Sequence, residues 1–455
     1  MKNYCLKIAL LSVSLLFHLQ IFSQDFYPEQ KRDEILKNIK APAIPGYTIT
    51  IKKQGGKQDS ITDCLPVFKK ALAKAKVKGG AHIIVPSGIY FINGPLHLES
   101  NICIELQKGA RIKFTDNPDS YLPIVLTSWE GTFLYNYSPF IYAYQKENIS
   151  IIGEGTIDGN AAKTFNTWKG LQSNDQALSR KMNHNQTPVK ERIFGKGHFL
   201  RPHLIQFFEC KNILVEGVTV TNSPFWCIHL VKSENATFRG INFIAKLVNN
   251  DGIDPEYSKN ILIENINFDN GDDNVAIKAG RDTEGRAIAT PSENIIIRNC
   301  KFKGLHGVVI GSEMSAGVRN VFVENCSFGG YLKRGIYLKS NSDRGGFIHN
   351  IYVKNVEFGE VEDCFFITSN YHNEGTAGLV TDIQNIFIQN VTCRKANYGG
   401  IVVQGFPGTP IKDIYLKNIH IDEAKIPLSL INTEEVRMSD VTIGGAVTAA
   451  PSTAQ

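Results

Sequence analysis

Apolar and polar residues alternate with a period of two through the second half of the chain, and the alternation recurs as a phrase. The phrase runs Asn, apolar, x, apolar, x, Asn, x, x, apolar. It reads KNILVEGVTV from Lys211, ENATFRGINF from Glu234, KNILIENINF from Lys259 and ENIIIRNCKF from Glu293. It returns as RNVFVENCSF from Arg319, HNIYVKNVEF from His349, QNIFIQNVTC from Gln384 and KDIYLKNIHI from Lys412, with fainter copies from Glu147 and Glu435. A period of two marks strands. The leading Asn or Asp stands at 212, 235, 260, 294, 320, 350, 385 and 413, spaced by 23, 25, 34, 26, 30, 35 and 28 residues. One such unit cannot bury a face alone, but stacked units can. The units lack the fixed leucines and helices of leucine-rich repeats and are shorter than four-stranded propeller blades. The pattern therefore predicts an all-β chain folded as a parallel β-helix. Loops of varied length would sit at its corners, and stacked Asn residues would form amide ladders.

Each unit carries a second apolar segment about 14 to 16 residues after its leading Asn, at Val275, Val308, Gly335, Phe365, Gly400 and Pro427. Upstream, Asp63 to Val77 is helix-like and is ended by Gly79 and Gly80. That helix is expected to cap the open end of the solenoid, whose edge would otherwise be exposed. Residues 1–24 show a basic start, an apolar run from Ile8 to Phe17 and a polar exit, the pattern of a secretory signal. The expected layout is a signal at 1–24, a lead-in at 25–50, the β-helix at 51–445 and a tail at 446–455. The mature chain is read as exported to the periplasm or beyond the cell. No later stretch is apolar and long enough to span a bilayer.

The 455 residues carry a net charge of +5, too weak to argue for nucleic acid. Eight cysteines follow the signal segment, at 64, 103, 210, 227, 300, 326, 364 and 393. None forms a CxxC pair, and several sit inside strand patterns, so they are read as buried thiols.

The repeat serves as a ruler. Asp272 and Asp273 stand 12 and 13 residues after Asn260, His306 stands 12 after Asn294, and Tyr398 stands 13 after Asn385. Equal register on stacked coils means neighbouring positions about 4.8 Å apart. Asp251 lies one coil back in NNDGIDP, and Lys339 falls in the strand beyond His306. Three aspartates, a histidine and a lysine are thus expected on one face. Such a group suits glycosidic cleavage: one carboxyl must be protonated to donate to the leaving oxygen, and another ionised to activate water or attack. Like charges that cannot all ionise raise one pKa and supply the acid.

The blocks NNDGIDP, GDDNVAIKAGRD, HGVVIGSEMSAGVRN and RGIYLKS, in this order, resemble the four signature blocks of glycoside hydrolase family 28, the polygalacturonase family. The resemblance extends through GGAHIIVPSGIYFINGPLHLESN, YLPIVLTSWEG, YSPFIYAY, NSPFWCIHLV and PIKDIYLKNI, which are similar to bacterial exo-acting members. It implies a right-handed β-helix and a hydrolase that cleaves α-galacturonosidic bonds of pectin with inversion, without a metal or other cofactor. A pectic polysaccharide or oligosaccharide is the implied partner, and the protein is read as a monomer. Asp272 would be the general acid. Asp251 and Asp273 would activate water, His306 would support the acid's protonation, and Lys339 would bind a substrate carboxylate. Asn249 and Tyr398 are expected substrate contacts.

Two blocks depart from the family pattern. The first is often Asn-Thr-Asp and here is Asn249-Asn250-Asp251; the fourth is usually Arg-Ile-Lys and here is Tyr337-Leu338-Lys339. Members acting on a rhamnose–galacturonate backbone can also lack that Arg. Tyr337 shares a strand face with Lys339 and is expected to offer an aromatic plane to a sugar. A pectate lyase would need calcium held by carboxylates and an arginine base, and no single register carries that set. A glycan-binding solenoid without catalysis would not need Asp251, Asp272, Asp273 and His306 together.

Overall fold

The computed structural model describes residues 27–373 and 375–447. The signal segment predicted at 1–24 lies outside the described residues, as does most of the tail. The chain forms a right-handed parallel β-helix. One face is built by Ala81–Val85, Ile102–Leu106, Glu147–Gly153, Lys211–Glu216, Glu234–Arg239, Lys259–Glu264 and Ser292–Arg298, each parallel to the next. From Val318 onward the phrase strand and the later apolar segment run together as Val318–Lys339, Phe347–Thr368, Asp382–Gln404 and Ile411–Ile431. The early coils carry three short strands per turn, such as Lys211–Glu216, Thr219–Thr221 and Ile228–Val231, where the sequence pattern predicts two. The phrase itself covers the first two and turns a corner at its second Asn.

That corner explains the recurrent Asn. Asn212, Asn235, Asn260, Asn294, Asn320, Asn350 and Asn385 all have φ between 55° and 62°. Asn265, Asn299, Asn325, Asn355, Asn390 and Asn418 repeat the conformation five residues later, and Gly217 and Gly240 take the same place in two earlier coils. Left-handed backbone is costly for most L-residues, and Asn tolerates it best after Gly. The amides also bond coil to coil: Asn294 donates to Asn260 at 3.1 Å, Asn320 to Asn294 at 3.0 Å and Asn350 to Asn320 at 3.1 Å. Inside, Phe243, Phe268, Phe302, Phe328 and Phe358 stack with centroids 4.5–5.1 Å apart, close to the coil spacing. All eight described cysteines are free and buried, with Cys364 and Cys393 Sγ 3.0 Å apart.

The predicted helix runs Leu65–Val77 and buries Leu65, Phe68, Ala71, Leu72 and Ala75 against the first coil. Gly79 and Gly80, with φ of 76° and 141°, end the segment. The lead-in contains a second helix, Glu29–Asn38, for which the sequence pattern offers no signal. It lies along the outside of the middle coils. Tyr27 and Ile35 pack with Leu262, Ile296 and Phe322, and Tyr27 Oη donates to Glu324 at 2.8 Å.

Two insertions build a superstructure over one face. The antiparallel hairpin Val125–Trp129/Thr132–Asn136 is joined by Ile193–Phe194, and the helix Ser173–His184 packs beside it. Trp129, Leu134, Phe194, Leu200, Phe225 and Trp226 form its own apolar cluster.

Candidate active site

The strands Ile228–Val231, Ile253–Glu256, Asn267–Ile277, Lys301–Gly311 and Val318–Lys339 carry the site on their outer face. The aspartate pair sits where Asn267–Ile277 bulges between Asn270 and Asp273. That bulge moves the register by one: Asp273, not Asp272, pairs with His306. The next residues in the row are Arg334, Asp363 and Gly399.

Asp272, Asp273 and His306 come together with ligand atoms within 4.8 Å of one another. His306 Nδ1 donates to Asp273 Oδ1 at 2.7 Å and lies 3.8 Å from Asp272 Oδ1. Lys339 Nζ donates to Asp273 Oδ2 at 2.9 Å. Asn249 Nδ2 donates to Asp272 Oδ2 at 3.1 Å, and Asn249 is itself held by Arg201 Nη2 at 2.6 Å. Asp251 is buried, and its Oδ1 has no hydrogen-bond partner among the described residues.

These contacts drive the carboxyls apart. Burial works against charge on Asp273, but Lys339 and His306 outweigh it and hold its carboxylate far below the usual range. Burial, then the charge of Asp273, push Asp272 up. Asp251 is pushed well up by burial and by Asp254, Asp272 and Asp273, against the pull of Lys278. One pocket therefore holds a firmly ionised carboxylate beside two that favour their protons. Asp272, Asp273 and His306 also form a donor set of the kind that binds cations, but the Lys339 ammonium already occupies one face of Asp273.

The site faces a cavity of about 270 Å³. Asn249, Asp251, Asp272, Asp273 and Lys339 line it; so do Trp226, Lys278 and Glu313. Its walls include Glu130 from the hairpin, Arg180 from the Ser173–His184 helix, Arg281, Arg344, and Tyr371 with His372. Beneath them Lys278 Nζ meets Glu313 Oε2 at 3.3 Å, and Arg281 Nη2 meets Glu313 Oε1 at 2.7 Å.

Two expected contacts stand elsewhere. Tyr337 shares the face of Lys339, but it is 4% exposed and does not line the cavity. It packs with Ala276, Val309, Phe366 and Tyr371, and the Arg334 guanidinium covers it at 4.7 Å. Burial in this cluster removes the open aromatic plane that the sequence leads one to expect. Tyr398 is 43% exposed, three coils beyond His306, with Lys425 Nζ 6.0 Å from its ring. Sequence reasoning missed Lys278, Glu313, Arg281 and the wall residues. Lys278 was within reach of the ruler, because it stands 18 residues after Asn260 as Lys339 stands 19 after Asn320. Glu130, Arg180 and Arg201 belong to insertions that have no register.

Comparison with known proteins gives one consistent picture. The sequence profile described as "Glycosyl hydrolases family 28" matches residues 82–442. The crystal structure of a hyperthermoactive exopolygalacturonase from Thermotoga maritima is 39% identical, with a TM-score of 0.83, covering 92% of this chain and 96% of that one. A probable polygalacturonase of Vitis vinifera is 26% identical over 95% of this chain and 86% of its own length. An endo-polygalacturonase of Pectobacterium carotovorum is 28% identical over 85% of this chain and 89% of its own.

Proposed function

The chain belongs to glycoside hydrolase family 28, and from that premise we propose that it hydrolyses polygalacturonate from a chain end, with inversion, using Asp272 as the acid. The observation that carries the reading is the opposed behaviour of two adjacent carboxyls: Asp273 is pinned ionised by Lys339 and His306, while Asp272 is pushed up. A proton held on Asp272 above the usual carboxylate range is available to the leaving oxygen. Asp251 and Asp273 hold the attacking water between them. Asp273 acts mainly as a fixed charge, because both its oxygens are committed and a carboxylate with so low a pKa is a weak base. Asp251, whose Oδ1 is unpartnered, takes the water's proton in the fraction of molecules where it is ionised, and its raised pKa then makes it a stronger base than Asp273.

Action at a chain end is supported by the walls that Glu130, Arg180, Arg281 and Arg344 raise around the cavity, and by the name of the 39% identical relative. Export of a monomer through the segment 1–24 completes the reading. N-terminal sequencing of the native protein is expected to find it starting near Gln24 or Asp25, and an intact Met1 would refute export.

Asp272→Asn keeps the shape and removes the transferable proton. It is expected to lower kcat by about 10²–10⁴-fold while substrate still binds. Proton NMR of the first products should show the inverted anomer, and mass analysis should show one product size released from the start. Retained configuration, a full-strength Asp272→Asn enzyme, or an early ladder of mixed oligomers would each refute the corresponding part. A chelator is expected to leave the rate unchanged, which separates this chemistry from a calcium-dependent lyase.

A further inference from the structure

The ladder of rings inside the coils ends at Phe358. Its row runs Phe302, Phe328, Phe358 and then continues as Cys393 and Ile421. Facing it is a second row, Gly252, Asn274, Gly307, Gly335, Cys364 and Gly400, each one residue before a paired position of the site sheet. The rings of Phe268, Phe328 and Phe358 pack on Gly252, Gly307 and Gly335 one coil back, where an added Cβ would come within 3.0 Å of each ring. A ring in the first row thus requires glycine in the second. Where Cys393 takes the place of the ring, Cys364 takes the place of that glycine, so both halves of one contact change together. One coil further the pair is again a bulky side chain over glycine, Ile421 over Gly400.

The Cys364 thiol donates to Cys393 Sγ at 3.0 Å. That hydrogen bond holds the Cys393 thiol below its usual range, while burial pushes Cys364 well up, so Cys393 is the readier thiolate of the two. Packing alone does not call for two sulfurs, because a Phe and Gly pair fills the same place in the coils before it. Cys300 and Cys326, also on successive coils, turn their thiols to backbone carbonyls, at 3.2 Å on Arg298 and 3.3 Å on Glu324.

We propose that Cys364 and Cys393 are joined as a disulfide in the exported protein, a covalent link between the coils Phe347–Thr368 and Asp382–Gln404 where the ring ladder stops. An oxidising compartment lets such a bond persist. The oxidant is itself a disulfide. The Cys393 thiolate attacks one of its sulfurs, which forms a mixed disulfide and releases one thiolate. Cys364 then attacks Cys393 Sγ, the Cys364–Cys393 bond forms and the second thiolate leaves. Two electrons and two protons pass from the pair to the oxidant, which ends as two thiols. Both cysteines are sealed in the finished fold, 0% and 2% exposed, so the exchange comes before Ile411–Ile431 closes over Cys393. This inference rests on the export reading above.

The full chain, taken as the cell exports it, is denatured, alkylated without reduction and digested. The peptides bearing Cys364 and Cys393 are expected to run joined, lighter by two hydrogens than the separate pair, while Cys300 and Cys326 carry the label. N-terminal sequencing of the same sample separates the two readings. Label on both Cys364 and Cys393 overturns the disulfide whichever N-terminus is found, and an intact Met1 overturns export whether or not the bond is present. The link closes a long stretch of the unfolded chain, so a reductant should lower the wild-type Tm by several degrees. The double variant Cys364→Gly/Cys393→Phe restores the pair of the earlier coils; it should fold, keep kcat and show a Tm indifferent to the reductant.

Discussion

Glu256 ends one of the site strands, Ile253–Glu256, and is wholly buried, with Ser128 Oγ donating at 2.6 Å and His229 Nε2 at 3.1 Å. Burial pushes it up to about 7; Glu313 adds to the rise, and Ser128 and Lys278 oppose it. The folded state therefore holds this proton more tightly than the unfolded chain does. Its contribution to stability is complete below the ordinary glutamate pKa and is lost as pH climbs towards 7, at up to about 1.4 kcal/mol per pH unit. Glu256→Gln cannot ionise and should flatten the fall in Tm across that window, leaving the variant more stable than wild type near neutrality. A wild-type Tm that does not fall there would contradict this. The same scale shows what a ruler of residue counts can and cannot find. Asp251, Asp272, Asp273 and His306 were legible because they stand at or near one offset from a repeated Asn. Arg334 stands 14 residues after Asn320, where His306 stands 12 after Asn294, because a register shift separates Phe302 from His306.

Among the elements, the phrase and the later apolar segment were legible, and the division of the phrase into two strands was not. The phrase reports two faces and the corner between them, and that corner has a fixed backbone requirement. The testable case is Asn320, with φ of 55° and amide bonds to Asn294 at 3.0 Å and from Asn350 at 3.1 Å. Asn320→Ala should destabilise by about 1–2 kcal/mol from the left-handed backbone, plus the loss of the two amide bonds. Asn320→Gly keeps the backbone free of strain and loses only the bonds. Denaturant titration should therefore place Gly between wild type and Ala; equal effects would mean that the amide ladder, not the corner, sets the choice of Asn. The inserted hairpin and the helix Ser173–His184 were invisible to this reasoning. Their apolar residues pack with each other and with Phe225 and Trp226, so no repeat announces them.

For the whole molecule, two α-helices that precede the strand Ala81–Val85 are placed differently. The helix Leu65–Val77 closes the first coil, while the helix Glu29–Asn38 leaves the end altogether and straps the middle. Arg32 Nη1 reaches Glu324 Oε2 at 2.9 Å, Lys354 Nζ reaches Glu29 at 3.0 Å, and Lys40 N caps the Asn235 amide oxygen at 2.9 Å. Removing residues 25–45 would uncover Leu262, Ile296 and Phe322. The expected result is a Tm lower by several degrees and a greater tendency to aggregate, with kcat retained, because none of these residues lines the cavity. The strap also sets an order of events. Tyr27 contacts a residue 297 positions away, so the docking surface of the first described segment, which starts on the coils of Leu262 and Ile296, is complete only when the coil bearing Glu324 exists. During synthesis, or passage through a membrane from the N-terminus, the coils can wind one onto the next while the strap waits in solution. Its docking would then be a late step of folding, governed by a contact of very high sequence separation, and refolding followed by fluorescence should lose its last phase when the strap is removed.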